Sequence, residues 1–179
     1  MLIIKIPASE MFNDATQEFI QVKEQTLQLE HSLVSLSKWE SKWNKPFFSK
    51  TEKTLAETLD YIKCMTITQN VKPEVYSRLS ASNIEDINKY IEAPMTATTF
   101  SNLNVGGSRE IVTSEIIYYW MIALNVPMEC QKWHLNRLLT LIRVCNIKNT
   151  PPKKMNRREI MNRNAALNAA RRKQLNSKG

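Results

Sequence analysis

Glycine is scarce in this chain: three residues in 179. Such scarcity argues against a glycine-rich phosphate loop and against a barrel with many tight turns. The pair Gly106-Gly107 lacks both the Walker and the dinucleotide context. Cysteine is also scarce. Cys64, Cys130 and Cys145 are odd in number and lack metal-ligand spacing, so each reads as a free thiol in a reducing compartment. Histidine occurs twice, at His31 and His134, and neither is flanked by a Cys or carboxylate cluster. Each reads as a structural or surface residue. There is no Gly-x-Ser-x-Gly elbow and no characteristic nucleophilic Cys setting. Only a Cys/His pair assembled by the fold would leave a route to covalent catalysis. No stretch reaches the roughly 18 apolar residues of a membrane span. The opening MLIIKIPASEM has too short an apolar run and no cationic start for a signal peptide. A soluble, cytosolic protein with no metal or cofactor signature is the expectation, with an uncharacterised enzyme as the remote alternative.

What is present is a strongly asymmetric charge. The net +8 lies entirely in residues 150–179, which hold nine Lys or Arg against one acidic residue, Glu159. Residues 1–149 hold sixteen of each sign and sum to zero. Two regions follow: a neutral body over 1–149, with strands in 1–30 and helices in 31–149, and a basic tail over 150–179. Hydrophobic residues make up 42%, enough for a core in one domain. The predicted fold class is α+β and predominantly helical: a small N-terminal antiparallel sheet, a helical part, then a basic C-terminal helix.

The chain is organised around residues 27–48. Leu27 and Leu29 alternate with Gln28 and Glu30, as in a half-buried strand. Ser32 suits an N-cap. Leu33, Leu36 and Trp43 then fall on one helical stripe, with Trp39 one turn before Trp43. Lys38, Glu40 and Lys42 cover the other side, and Pro46 is expected to end the helix. Two indoles one turn apart form either an aromatic ligand platform or a pair of core anchors. Phe47 and Phe48 follow at once. If exposed, they form a contact patch with Trp39 and Trp43; otherwise they close the core.

Strands are expected over residues 2–6 and 19–23, with turn chemistry at Asn13-Asp14, and over 26–30. The Trp39/Trp43 helix is the nearest cover for that sheet. Ser49-Lys50-Thr51-Glu52 has the capping-box pattern and predicts a helix with Leu55, Leu59 and Ile62 inward. Asn70 breaks it, and Pro73 opens a short helix through Leu79. Ser82-Asn83-Ile84-Glu85 is a second box, with Ile84, Ile87 and Ile91 as the buried stripe. Glu85 and Asp86 follow that cap and complement the helix dipole. Residues 93–108 read as a loop, either a plain excursion or a partner-binding segment. Residues 113–124 form an apolar helix with Ile116, Ile117, Trp120, Met121 and Leu124. Pro127 is expected to open one long helix to about Ile147, with Leu135, Leu138, Ile142 and Cys145 inward and Leu139 and Leu141 beside them. This antiparallel pair is predicted to be the main hydrophobic core.

The tail begins at the breaker Thr150-Pro151-Pro152. Residues 156–175 are good helix formers with few large apolar residues, Ile160, Met161, Leu167 and Leu175. Arg157, Arg158, Arg163, Arg171, Arg172 and Lys173 suit phosphate neutralisation. Without an aromatic residue the tail has no base-stacking surface, so nucleic-acid binding there would be nonspecific and salt-dependent. A membrane-surface helix fits less well, because Trp and Phe are missing from its apolar face. Docking on an acidic protein or a solubilising role are the alternatives.

Several stretches together resemble the tail assembly chaperones of long-tailed (siphovirus-type) bacteriophages. They are LEHSLVSLSKWESKWNKPF (residues 29–47), DYIKCMT (60–66), IEAPMTATTF (91–100), ECQKWHLNRLLTLIRVCN (129–146) and NAALNAARRKQLNSKG (164–179). The resemblance implies a non-virion protein of the host cell cytoplasm that coats the tape-measure protein and helps tail-tube subunits polymerise around it. It also implies self-association, no catalytic residues, and often a second, longer form made by translational frameshifting. The Lys178-Gly179 ending is compatible with a slippery codon run. The alternative from the residues alone is a nucleic-acid-binding accessory protein acting through the basic tail.

Overall fold

A computed structural model describes residues 1–13, 18–100, 111–151 and 156–176. The fold is α+β and mostly helical, as the sequence predicts. Among these residues four short strands lead: β1 (Leu2–Ile6), β2 (Ser9–Asn13), β3 (Glu18–Val22) and β4 (Gln25–Leu29). Six described α-helices follow: α1 (Leu33–Trp43), α2 (Leu55–Met65), α3 (Ala81–Glu92), α4 (Ser114–Ala123), α5 (Leu135–Asn149) and α6 (Arg157–Leu175). The chain divides into two compact units, Met1–Asn146 and Ile147–Gly179. Among the described residues, no helix is long and apolar enough to cross a membrane.

The strands pair differently from a single meander. β1 pairs antiparallel with β4, and β2 pairs antiparallel with β3, in two separate ladders. Strand β2 is not evident in the sequence, because Met11 and Phe12 stand side by side rather than alternating. Asn13 closes β2; the rest of the expected turn, from Asp14, lies outside the described residues. Ile4, Ile6, Leu27 and Leu29 point inward from β1 and β4.

The first three helices start at capping boxes, two of them at a different residue from the one expected. Ser32 caps α1, and its hydroxyl accepts the Ser35 N–H while Ser35 Oγ accepts the Ser32 N–H. α1 stops at Asn44, whose φ of 52° and ψ of 36° are left-handed, rather than at Pro46; Asn tolerates that conformation. α2 is capped by Thr54 with Glu57, not by Ser49 with Glu52. Leu55, expected inside, is therefore the first helical residue and is 75% exposed. Leu59 is half-buried and Ile62 buried, as expected. α3 is capped by Ser80 with Asn83, not by Ser82 with Glu85. The stripe still holds: Ile87 is buried, with Ile84 and Ile91 half-buried. The short helix after Pro73 is a 3-10 turn, Pro73–Arg78.

The expected long helix from Pro127 is broken. A 3-10 turn, Met128–Lys132, precedes Trp133 and His134, and α5 begins only at Leu135. The break lets His134 bridge to Ser32 and lets the Leu135 N–H donate to the His31 carbonyl at 2.7 Å.

The α4/α5 pair is not the main core by itself. One apolar cluster joins β1, β4, α1, α2 and α3 through Ile4, Leu29, Trp39, Ile62 and Ile87. A second joins α1, α4 and α5 through Leu33, Leu36, Ile117, Met121, Leu135 and Leu138. α1 serves both. Leu33 and Leu36 face one cluster, Trp39 and Trp43 the other, so the single stripe read from the sequence is in fact two. A helix apolar on two sides sits between layers.

Candidate functional site

The aromatic stretch after the first strands folds into a graded cluster. Trp39 is 1% exposed and donates its indole N–H to the Glu57 carbonyl at 2.8 Å. It is a core anchor and offers no contact surface to a partner, because burial is complete and its one polar atom is satisfied. Trp43 is half-buried and donates to Asp60 Oδ2 at 2.9 Å. Phe47 is half-buried and packs on Trp39, Tyr61 and Phe48, with ring centroids 5.3, 4.3 and 5.6 Å away. Phe48 alone opens to solvent, at 43% exposure. The four candidates thus run from interior to surface. Three lysines ring the outer end. Lys42 pairs with Asp60, Lys45 pairs with Glu57 at 2.6 Å, and Lys53 Nζ stands 4.2 Å over the Phe47 ring. The Lys45 bond and the Thr54 amide hold the Glu57 carboxyl below the usual carboxylate range.

Glu40, expected on the solvent side, is buried. Its Oε1 accepts the Phe47 N–H and its Oε2 accepts the Ser114 N–H, each at 2.7 Å. The second bond satisfies a free donor at the start of α4, where Thr113 makes no side-chain cap. A single carboxylate therefore fixes both the Phe47-Phe48 segment and the amino end of α4.

That placement matters for a surface the sequence did not single out. α4 buries Ser114, Ile117 and Met121. On the opposite side Tyr119 is 66% and Ile122 67% exposed. Ile116, Tyr118 and Trp120 are half-buried between the two faces. A helix with apolar residues all round is normally covered on all sides, so the outward face of α4 is apolar surface without a cover among the described residues. The run EIIYYWMIAL, residues 115–124, holds more large apolar residues than one buried stripe needs. That excess is the signal in the sequence. Part of the expected loop lies outside the described residues; its described portion, 93–100, is irregular.

The two histidines lie inside the molecule and meet there. Their rings are 5.1 Å apart, edge to face. His31 Nδ1 bonds the Tyr61 hydroxyl at 2.6 Å. His134 Nε2 lies 2.9 Å from the Tyr90 carbonyl and so donates, which leaves Nδ1 to accept the Asn136 N–H at 3.3 Å. Both nitrogens of His134 are thereby used in the neutral form. Burial, then the neighbouring His134, lowers the His31 pKa to about 4; burial also lowers that of His134. Among the described residues no three His, Cys, Asp or Glu gather where a metal would bind. Cys130 is buried and free, and Cys64 and Cys145 are half-buried and free. Burial pushes the Cys64 thiol up, away from the thiolate that chemistry would need.

In the second unit, α6 is capped by Asn156 with Glu159 and buries no residue. Arg157, Arg158, Arg163, Arg171, Arg172 and Lys173 all lie on it. At about 100° per residue they point to every side of the helix rather than along one strip. Such an arrangement makes a diffuse positive field, with no single face to track a phosphate backbone.

No protein-family model, no curated protein and no solved structure matches this chain.

Proposed function

We propose that the chain is a non-enzymatic tail assembly chaperone of a long-tailed phage. It binds the tape-measure protein in the host cytoplasm and promotes assembly of the tail tube around it, with the tail-tube protein as a further partner. The observation that carries this reading is the outward face of α4, where Tyr119 and Ile122 stand exposed on a helix anchored from behind by Glu40. Aromatic and aliphatic side chains on a rigid element are what a polypeptide-binding surface needs. Phe48, opening from the lysine-ringed aromatic cluster, adds a second contact of the same kind. The resemblance of residues 29–47, 60–66, 91–100, 129–146 and 164–179 to that family supplies the identity of the partner. Co-expression tests it: the tape-measure protein becomes soluble and co-purifies with the chain. A tape-measure protein that stays insoluble and never co-purifies ends the proposal.

A second reading has its own observation, the six cations on a helix with no buried residue. In it the chain is an accessory protein that binds nucleic acid nonspecifically through α6. Affinity would then fall steeply with salt and disappear when residues 153–179 are deleted. Binding that ignores both salt and the deletion excludes this reading.

A further inference from the structure

Strand β1 has one paired edge and one open edge. On β4, the Gln28 carbonyl accepts the Ile67 N–H at 2.8 Å and the Glu30 N–H donates to the Met65 carbonyl at 2.9 Å. The outer edge of β4 is therefore covered by the segment that follows α2. Main-chain groups alternate between the two sides of a strand. Gln25, Leu27 and Leu29 must then turn theirs toward β1, where their register partners are Ile6, Ile4 and Leu2. It follows that the N–H and C=O groups of Ile3 and Lys5 point away from β4. Among the described residues no hydrogen bond engages them. The next outward carbonyl, that of Pro7, is already occupied by the Arg78 guanidinium. Ile3 is 56% exposed and Lys5 is exposed. The strand carries one charge, Lys5, and has no proline or bulge along it.

We propose that this edge pairs with the same edge of a second copy, β1 against β1 and antiparallel, to give one continuous sheet across a two-fold axis. The strand is self-complementary in one register. Centred on Ile4, the pairing sets Ile3 opposite Lys5 of the second copy and Lys5 opposite its Ile3. All the outward main-chain groups of both strands are then satisfied. Centring on Lys5 would set like charges face to face, and centring on Ile3 would engage that residue alone within the strand. A two-fold contact of this kind closes on itself and does not propagate. This inference stands on strand geometry and does not depend on the chaperone reading.

Sedimentation velocity on the full chain tests it, using variants on the exposed side of β1. The wild type forms a dimer whose population rises with concentration. Ile3→Lys places a lysine opposite Lys5 twice and weakens the dimer roughly tenfold; Ile3→Glu, which places a carboxylate there, leaves it at least as strong. Lys5→Pro removes an outward N–H without touching the ladder to β4, and gives a monomer. Should Lys5→Pro fail to fold, the two Ile3 variants decide between them. A chain that is monomeric up to its solubility limit overturns the proposal. So does a dimer that Ile3→Lys and Ile3→Glu affect alike, or one that survives in folded Lys5→Pro.

Discussion

Glu40 connects two helices through one carboxylate, and its removal should show how much that costs. Glu40→Ala leaves the buried Ser114 amide and the half-buried Phe47 amide without an acceptor. We expect a loss of roughly 2–4 kcal/mol in urea unfolding; a loss within experimental error would mean that water serves those amides equally well. The histidine pair gives a second expectation at this scale. A buried imidazole that stays neutral lowers its folded pKa, so the unfolded chain binds protons first as pH falls. The stability that His31 and His134 contribute is whole above about pH 6.5 and is lost below it. For His31 the loss runs down to about pH 4, on the order of 3 kcal/mol. Glu57, with its pKa depressed, adds a further loss below that range. Unfolding free energies measured between pH 7 and pH 4 should therefore fall steadily; a flat profile would contradict the buried, neutral pair. Neither contact was visible in the sequence. His31 and His134 are brought together only by tertiary packing, and Glu40 occupies a position where spacing favours solvent.

Helix existence was legible in the sequence, because apolar spacing and Ser/Thr caps recur along the chain. Helix boundaries were less so. Residues 49–57 offer two Thr/Ser-x-x-Glu boxes, and the one adjoining the packed part of α2 prevails. Thr54→Ala should cost about 1 kcal/mol, whereas Ser49→Ala should change stability by only a few tenths; equal effects in thermal unfolding would return the cap to Ser49. In the same way Asn44 preempts Pro46, because a left-handed residue ends the helix two positions before the proline acts. The break at Trp133 and His134 has a different cause. Local pattern favours a continuous helix there, and the bridge to Ser32 overrides it. On α4 the surplus of apolar residues was legible, but the direction in which Tyr119 and Ile122 face was not, since that depends on which side meets α1.

The whole chain combines a near-neutral folded unit and a second unit carrying the cationic helix. A polypeptide binder needs its apolar surface held rigidly, and α4 meets that need with one face in the second core cluster and the other open. The direct test is the affinity of the full chain for the tape-measure protein, measured for the wild type and for the double variant Tyr119→Glu/Ile122→Glu. Both positions face outward, so the variant should unfold within about 0.5 kcal/mol of the wild type. Its affinity should fall at least about a hundredfold, as when two central interface anchors are lost. A folded variant that binds as tightly as the wild type would contradict the assignment of α4 as the binding face.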